Sequence, residues 1–434
     1  MYRKPLLKIR PKSLNIGRSL FLLLAFSATA YAERMHLSAA GILDVTNGEM
    51  LRDRVIVVED GRIKAVSARS EVDPADADRV YDYPDQFIVP GFIDAHVHLH
   101  SDPTVHGYRR LGKSLPQKTL TGAINARTTL RAGVTTVRQV GSPGYADIAL
   151  RDAINAGQLP GPRILTAGMS ISITGGHCGD DNLSPFEKYD APESVADGPW
   201  AMRQRVRQNV KYGADVIKTC STGGVLSKGT ELGAAQGTVE ELTAIVEEAA
   251  SFGLKVASHA HGATGIKNAL KAGVASIEHA SFIDDEGIRM ARRNGTALVM
   301  DIYVTEYILG KGESAGILPE SLEKERRTGK TQRANFTKAH KAGARIVFGT
   351  DAGVFPHGDN MKQLSRMVQF GMTPAEAIRS ATLHGAELLG LAGEVGEITA
   401  GAYADLVILD DNPLDQISTT ESPVAVFKEG RLVE

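Results

Sequence analysis

Along most of this chain, short apolar runs alternate with segments whose apolar residues recur at helical spacing. Eight such runs stand out: Ile88–Ala95, Val134–Val140, Arg163–Ala167, Val216–Cys220, Lys255–His259, Ala275–His279, Ala297–Ile302 and Arg345–Gly349. Continuous apolar runs of this length, bounded by turn residues, predict strands buried on both faces. Helix-periodic stretches separate them. Examples are Gln117–Ala132, Val239–Phe252 and Ala260–Ala272, the last closing with Gly273 at a C′ position. Eight β–α units predict an α/β fold, a (β/α)8 TIM barrel. A doubly wound open sheet is the alternative, and the count of eight favours closure.

The two ends carry a different pattern. Met35 to Val80 reads as short strands with tight turns, and Val55–Val58, Glu59-Asp60-Gly61-Arg62 and Ile63–Val66 form a hairpin signal. Gly401–Asp410 and Val424–Val433, the latter around Glu429-Gly430, look similar. Neither end has enough strand to bury a core alone, so together they predict one small β-sandwich built from both termini. The predicted organisation is a sandwich from residues 33–87 and 393–434 and a barrel from 88–392. Residues 1–32 predict a signal peptide. Arg3, Lys4, Lys8, Arg10, Lys12 and Arg18 form a basic segment, Leu20 to Ala30 is apolar, and Ala30-Tyr31-Ala32 is a small-residue cleavage site ahead of Glu33. An uncleaved anchor is the competing reading. Cleavage would deliver an exported protein, periplasmic or secreted, without further contact with a membrane.

Composition adds limits. The 434 residues are too many for one ordinary core, in keeping with a large domain and a smaller one. A net charge of −2 gives no sign of a polyanionic partner such as nucleic acid. The two cysteines, Cys178 and Cys220, sit just past predicted strand ends. Export permits a disulfide, and spacing alone leaves the pairing open.

In such barrels the chemistry sits at the C-terminal ends of the strands. The first run, IVPGFIDAHVHLH, places His96 and His98 two apart, hence on one face of an extended strand. Two imidazoles presented this way suit one metal ion. The fourth run carries Lys218, the fifth ends in His259 with His261 just past it, the sixth ends in His279, and Asp351 lies just past the eighth. A lone ammonium inside a barrel is costly, and more so beside divalent cations. Carboxylation by carbon dioxide would convert Lys218 to an anionic carbamate whose two oxygens bridge two metals. Of the pair in the fifth run, His259 lies at the strand end and is taken as the ligand, and His261 as a neighbour or substrate contact. His177, in Gly175-Gly176-His177-Cys178, and Tyr303, in MDIYVTEY, are further candidates for the substrate. His340, His357 and His384 read as supporting or structural, and His100 and His106 are left open.

The ordered set His96, His98, Lys218, His259, His279 and Asp351 resembles the amidohydrolase superfamily. The tail GMTPAEAIRSATLHGAELLGL and the following GEVGEITAGAYADLVILDDNPL resemble its imidazolonepropionase-related branch. Within that branch the chain looks most like metal-dependent dipeptidases of the prolidase and Xaa-Arg type, a group that includes ochratoxin-hydrolysing amidohydrolases. The resemblance implies two zinc ions per chain. His96, His98 and Asp351 would hold one, His259 and His279 the other, with carboxylated Lys218 bridging them. Imidazolonepropionases use one metal and lack the bridging lysine, so Lys218 argues against that activity. Arg138-Gln139 departs from relatives that often read Arg-Asp there.

By the same resemblance, a bridging hydroxide activated between metals about 3.5–4 Å apart attacks an amide carbonyl, and Asp351 passes its proton to the leaving amine. The implied substrates are dipeptides or N-acyl amino acids with a free C-terminal carboxylate, ochratoxin-type amides among them. His177, His261 and Tyr303 are the candidate contacts. A cyclic-amide hydrolase of lactam or imidazolone type is the alternative, and a metal-free binding barrel the non-enzymatic reading. Manganese or cobalt suits the same donors. Relatives are often tetramers or octamers, which implies a homo-oligomer.

Overall fold

Each of the eight apolar runs contains a strand. In the computed structural model, which describes residues 33–179, 194–228 and 230–434, these are Phe92–Val97, Val134–Gln139, Arg163–Thr166, Ile217–Cys220, Val256–Ala260, Ser276–His279, Ala297–Val299 and Ile346–Val347. The expected signal peptide, residues 1–32, lies outside the described residues. The first three strands pair in parallel, and so do the last five, each in chain order. Two parallel bridges, Val97 with Ala352 and Ile171 with Thr219, connect the two sheets. The result is a mixed α/β fold with parallel sheets. Seven of these eight strands are buried along their length, as parallel strands covered by helices must be, and Arg163–Thr166 is buried at alternate positions.

The intervening helices form where their ends are capped. Ser114 with Gln117 and Thr238 with Glu241 make capping boxes at the starts of Leu115–Arg131 and Val239–Ser251. Ala263–Ala272 ends on Gly273 in the left-handed region, φ 89°, as its C′ position demands. Among the described residues no helix is long and apolar enough to cross a membrane.

The two ends of the chain share one sheet. Its order runs through Arg431–Leu432, Ala425–Lys428, Leu406–Leu409, Arg79–Pro90, Arg34–Asp44, Arg54–Glu59 and Arg62–Ala68, with Glu49–Leu51 also paired to Arg34–Asp44. The expected hairpin is present: Arg54–Glu59 and Arg62–Ala68 pair antiparallel across Asp60 and Gly61, both at positive φ. A separate core of Leu37, Ile56, Ile63, Ile88, Leu406 and Phe427, among others, fills this sheet's apolar side.

One expectation is corrected. The run Ile88–Ala95 is not one strand. Ile88, Val89 and Pro90 end the terminal-sheet strand Arg79–Pro90, facing Ile408, Val407 and Leu406, and a new strand begins at Phe92. Gly91 is the crossing point. Its N–H reaches Asp405 O at 2.7 Å, and a Cβ there would lie 2.1 Å from Thr135 Oγ1. One apolar run therefore serves two sheets, and hydropathy alone does not mark the join.

Candidate metal centre

At the C-terminal ends of the strands lies a cluster of imidazoles. The ring centroids of His96 and His279 are 5.0 Å apart, those of His259 and His279 4.6 Å, and those of His96 and His98 5.4 Å. The Nε2 atoms of His96 and His98 approach Asp351 Oδ1 at 3.4 and 3.3 Å. The expected ligands thus come together from the first, fifth, sixth and eighth strands.

Local backbone explains part of this convergence. Strand alternation would send Glu278 and His279 to opposite faces, yet both meet His96. The backbone of His279 (φ 69°) and Ala280 (φ 49°) is left-handed, which swings the imidazole back toward the side that Glu278 occupies. Asp351 has φ 60°. Positive φ in non-glycine residues costs of order 1–3 kcal/mol and persists where surroundings over-determine it. Two of the expected ligands carry it.

Behind the imidazoles stand carboxylates that the sequence did not single out. Glu278 Oε2 lies 2.9 Å from His96 Nδ1, and Arg138 Nη2 lies 2.9 Å from Glu278 Oε1. Arg138 also donates to Ala95 O and Ser276 Oγ. Asp301 Oδ2 is 2.9 Å from His279 Nδ1, and Gln332 Nε2 donates to Asp301 Oδ1. Asp94 accepts from the backbone N–H groups of His96 and Thr350 and from Asn360 Nδ2. His357 sits between Thr129 Oγ1 and the backbone oxygen of His98. Gln139, part of the noted departure, accepts from Leu99 N–H and donates to Gly141 O, so it shapes the loop after the first strand.

These contacts set protonation. Burial pushes the Glu278 carboxyl up, but Arg138 and His96 together hold it well below the usual range. Burial likewise works against the Asp351 carboxylate, and the surrounding imidazoles override it and keep the group ionised. Burial lowers His98 to about 3 and His177 to about 3 and pushes His259 and His261 down as well, so these rings are neutral at ordinary pH. Lys218, itself buried, is lowered by desolvation to about 8. Among the described residues its ammonium has no hydrogen bond or ion pair.

The residues fit a metal. A carboxylate oxygen on Nδ1 makes that nitrogen the donor in His96 and in His279, which leaves Nε2 of each ring as the nitrogen for a ligand. The Nε2 atoms of His96 and His259 are buried and make no hydrogen bond, a costly arrangement unless something else ligates them. The ligand atoms of His96, His279 and Asp351 lie within 4.8 Å of one another, and so do those of His259, His261 and His279. The second group admits His261, which the sequence reading placed beside the ligands. Its Nδ1 is 2.8 Å from Ser281 Oγ, and its ring stacks on His279 at 4.8 Å.

The candidate substrate contacts divide. His177 lies with its ring 4.2 Å from that of His259. Its neighbour Cys178 is joined to Cys220 by a disulfide, with Cα atoms 6.0 Å apart, which settles the pairing that spacing left open. Tyr303 is not drawn into the cluster by any contact among the described residues. It packs edge-on against Phe355 at 5.0 Å, and its backbone N–H donates to Gln363. His340 approaches Glu376 at 3.7 Å and His384 approaches Ile346 O, both away from the cluster. His100 is buried with Nδ1 3.4 Å from Ser142 Oγ.

Glu278 and Asp301 were missed because each reads as one acid beside apolar residues. Their signal was present: a carboxylate within a fully buried strand, or at its C-terminal end, has to have a partner.

Comparison with known proteins agrees with this site. Residues 87–433 match the model of the amidohydrolase family. Ochratoxinase from Aspergillus niger is 31% identical over 450 aligned positions, covering 97% of this chain and 90% of the relative. The crystal structure of a Xaa-Pro dipeptidase with bound methionine in its active site is 37% identical, with a TM-score of 0.87, covering 93% of this chain and 100% of that one. A prolidase complexed with N-methylphosphonate-L-proline is 29% identical, with a TM-score of 0.84, covering 92% and 99%. The strand-end histidines, their buried carboxylate partners and a match over four-fifths of its length place the chain in the amidohydrolase family.

Proposed function

We propose that this protein is a binuclear zinc amidohydrolase that cleaves the amide bond of dipeptides or N-acyl amino acids bearing a free C-terminal carboxylate. The observation that carries the proposal is the pair of buried, unbonded imidazole nitrogens on His96 and His259, flanking His279 and opening toward Asp351 and Lys218. In this reading the two parallel sheets form one (β/α)8 barrel that starts at Phe92, past the join at Gly91, and runs to residue 392. Residues 33–90 and 393–434 form the small sandwich, and residues 1–32 direct export. The names of the relatives, ochratoxinase, Xaa-Pro dipeptidase and prolidase, support an amide next to a C-terminal amino acid as the target.

His96, His98 and Asp351 would hold one zinc, His259 and His279 the second, and Lys218, carboxylated on Nζ, both. Bound there, the metals supply Lewis acidity and a water acidified toward neutrality. The chain supplies the rest. Glu278 and Asp301 hold His96 and His279 in one tautomer and one orientation. Asp351, kept ionised by its imidazole neighbours, accepts a proton and delivers it to the amine nitrogen as the C–N bond breaks. His177 and His261, neutral, offer N–H donors to the substrate carbonyl or carboxylate. The buried walls exclude water around these donors, which strengthens each contact.

The test is metal analysis of the purified protein together with hydrolysis of a panel of dipeptides, N-acyl amino acids and lactams. About two zinc per chain, with linear substrates cleaved and activity lost on chelation, supports the proposal. One metal per chain with lactams preferred overturns it in favour of a cyclic-amide hydrolase.

A further inference from the structure

The loop that follows the fourth parallel strand closes at its base through backbone bonds between Gly223 and both Ala234 and Gly233, and through the bridge of Thr222 with Ala235. Beyond that base its carbonyls turn inward, and a side chain from a distant helix meets them. Lys324, on Pro319–Lys341, donates to Gly224 O at 3.3 Å, Ser227 O at 2.9 Å and Thr230 O at 2.6 Å. An ammonium has three N–H donors and no acceptor, so it is suited to converging carbonyls.

Two of the residues that give Lys324 their carbonyls, Gly224 and Ser227, also meet His177, and Thr230 is bonded to Ser227. Ser227 Oγ lies 2.8 Å from His177 Nδ1 and also bonds Thr230 Oγ1. Gly224 packs flat on the imidazole: a Cβ there would sit 2.4 Å from Cε1 and 2.5 Å from Nε2. His177 is fixed on its other sides by Gln236, which accepts from its backbone N–H at 2.9 Å, and by the disulfide at Cys178. Its ring has two neighbours of different kind, His259 in the cluster and this loop behind it.

We infer that Lys324 is a positioning residue: by gathering the carbonyls of Gly224, Ser227 and Thr230 it holds the loop against His177 and so fixes the imidazole that contacts the substrate. Lys324 acts through the loop, by its bonds to Gly224, Ser227 and Thr230. The inference rests on the reading of His177 as a substrate contact.

The experiment compares Lys324→Met, which keeps the aliphatic stem and removes the donors, with Lys324→Arg, His177→Asn and the double variant His177→Asn/Lys324→Met in the full-length metal-loaded enzyme. Metal content, thermal unfolding, kcat and KM are measured on one cleavable N-acyl amino acid. Hydrogen bonds to a charged group carry enough energy that losing this set should cost at least about tenfold in kcat/KM. The expected result is that loss in Lys324→Met, expressed as a raised KM at unchanged metal content, with partial recovery in Lys324→Arg. The double variant should be no worse than His177→Asn, since both remove the same function. Unchanged kcat/KM in Lys324→Met while His177→Asn is impaired overturns the inference alone, as do losses that multiply in the double variant. An unimpaired His177→Asn overturns the underlying reading of His177 and the inference with it. If Lys324→Met does not fold, Lys324→Cys alkylated with 2-bromoethylamine decides the matter, because only restoring the ammonium should restore KM.

Discussion

Replacing Glu278 with glutamine separates two jobs that one carboxylate performs. Glu278 is fully buried, with one oxygen 2.9 Å from His96 Nδ1 and the other 2.9 Å from Arg138 Nη2. Glutamine keeps the shape and removes the charge. On the His96 side, a charge-assisted bond becomes a neutral one, and loss of such a partner behind a ligating histidine typically costs about 10–100-fold in metal affinity. On the Arg138 side, a guanidinium only 2% exposed loses its counter-ion, and breaking a buried pair from one side costs about 3–5 kcal/mol of folding stability. Asp301→Asn is the control. It disturbs His279 in the same way, but its other oxygen faces the neutral amide of Gln332 and no buried cation is stranded. Both variants should therefore bind zinc more weakly by a similar factor, while Glu278→Gln alone shows the large drop in thermal stability of its metal-free form. The assay is zinc titration against a competing chelator, with unfolding of metal-stripped protein alongside. Equal destabilisation of the two metal-free variants, or zinc affinity unchanged in either, would refute the reasoning.

Other expectations follow from single groups. Lys218→Met should lower zinc content from about two to about one per chain and reduce kcat/KM by more than about 100-fold, read by metal analysis and rate. Chelation should abolish activity, and added zinc should restore it; activity that survives exhaustive chelation would contradict the metal reading. Glu325 is buried beneath Thr305, and burial raises it to about 7 from an ordinary 4.5. Because its folded value lies above its unfolded one, its protonated form favours the fold, and stability is lost as pH rises from 4.5 through about 7. Glu325→Gln should thus unfold at higher temperature than the parent at pH 8, by up to about 3 kcal/mol, and at nearly the same temperature at pH 4. An equal shift at both pH values would assign the effect to packing.

Much of the fold was legible because it is written in periods. Strands covered on both faces must be continuously apolar, and the eight runs each yielded one. The candidate metal ligands were legible for a related reason: His96, His98, His259, His279 and Asp351 are polar residues at the ends of apolar strands, where position alone gives them a common destination. What escaped was anything decided between elements. The join at Gly91 depends on the closeness of Thr135 and on Asp405, over 300 residues away in sequence. Tyr303 sat at the expected strand end, yet packing against Phe355 holds it there, an outcome that local pattern cannot distinguish from a wet hydroxyl over the substrate. The roles of Glu278 and Asp301 likewise depend on which imidazole each one faces.

Stability by itself gives no reason for this interior. Replacing a buried ion pair such as Arg138–Glu278 with well-packed apolar residues is often neutral or stabilising, and Lys218 is buried, with no ion pair among the described residues. His279 and Asp351 add left-handed backbone, each at some cost. A core selected for packing would discard all four features. They share one location and one consequence, which is to aim nitrogen and oxygen donors at a common volume. The arrangement is accounted for if that volume receives cations, since ligation then satisfies His96 Nε2 and His259 Nε2, supplies an opposite charge to Asp351, and gives a carboxylated Lys218 a role. The same reasoning explains why the supports reach so far outward, through Ser276, Gln332, Asn360 and Thr350: a strained cluster of bare donors keeps its geometry only if every neighbour of a ligand is itself held.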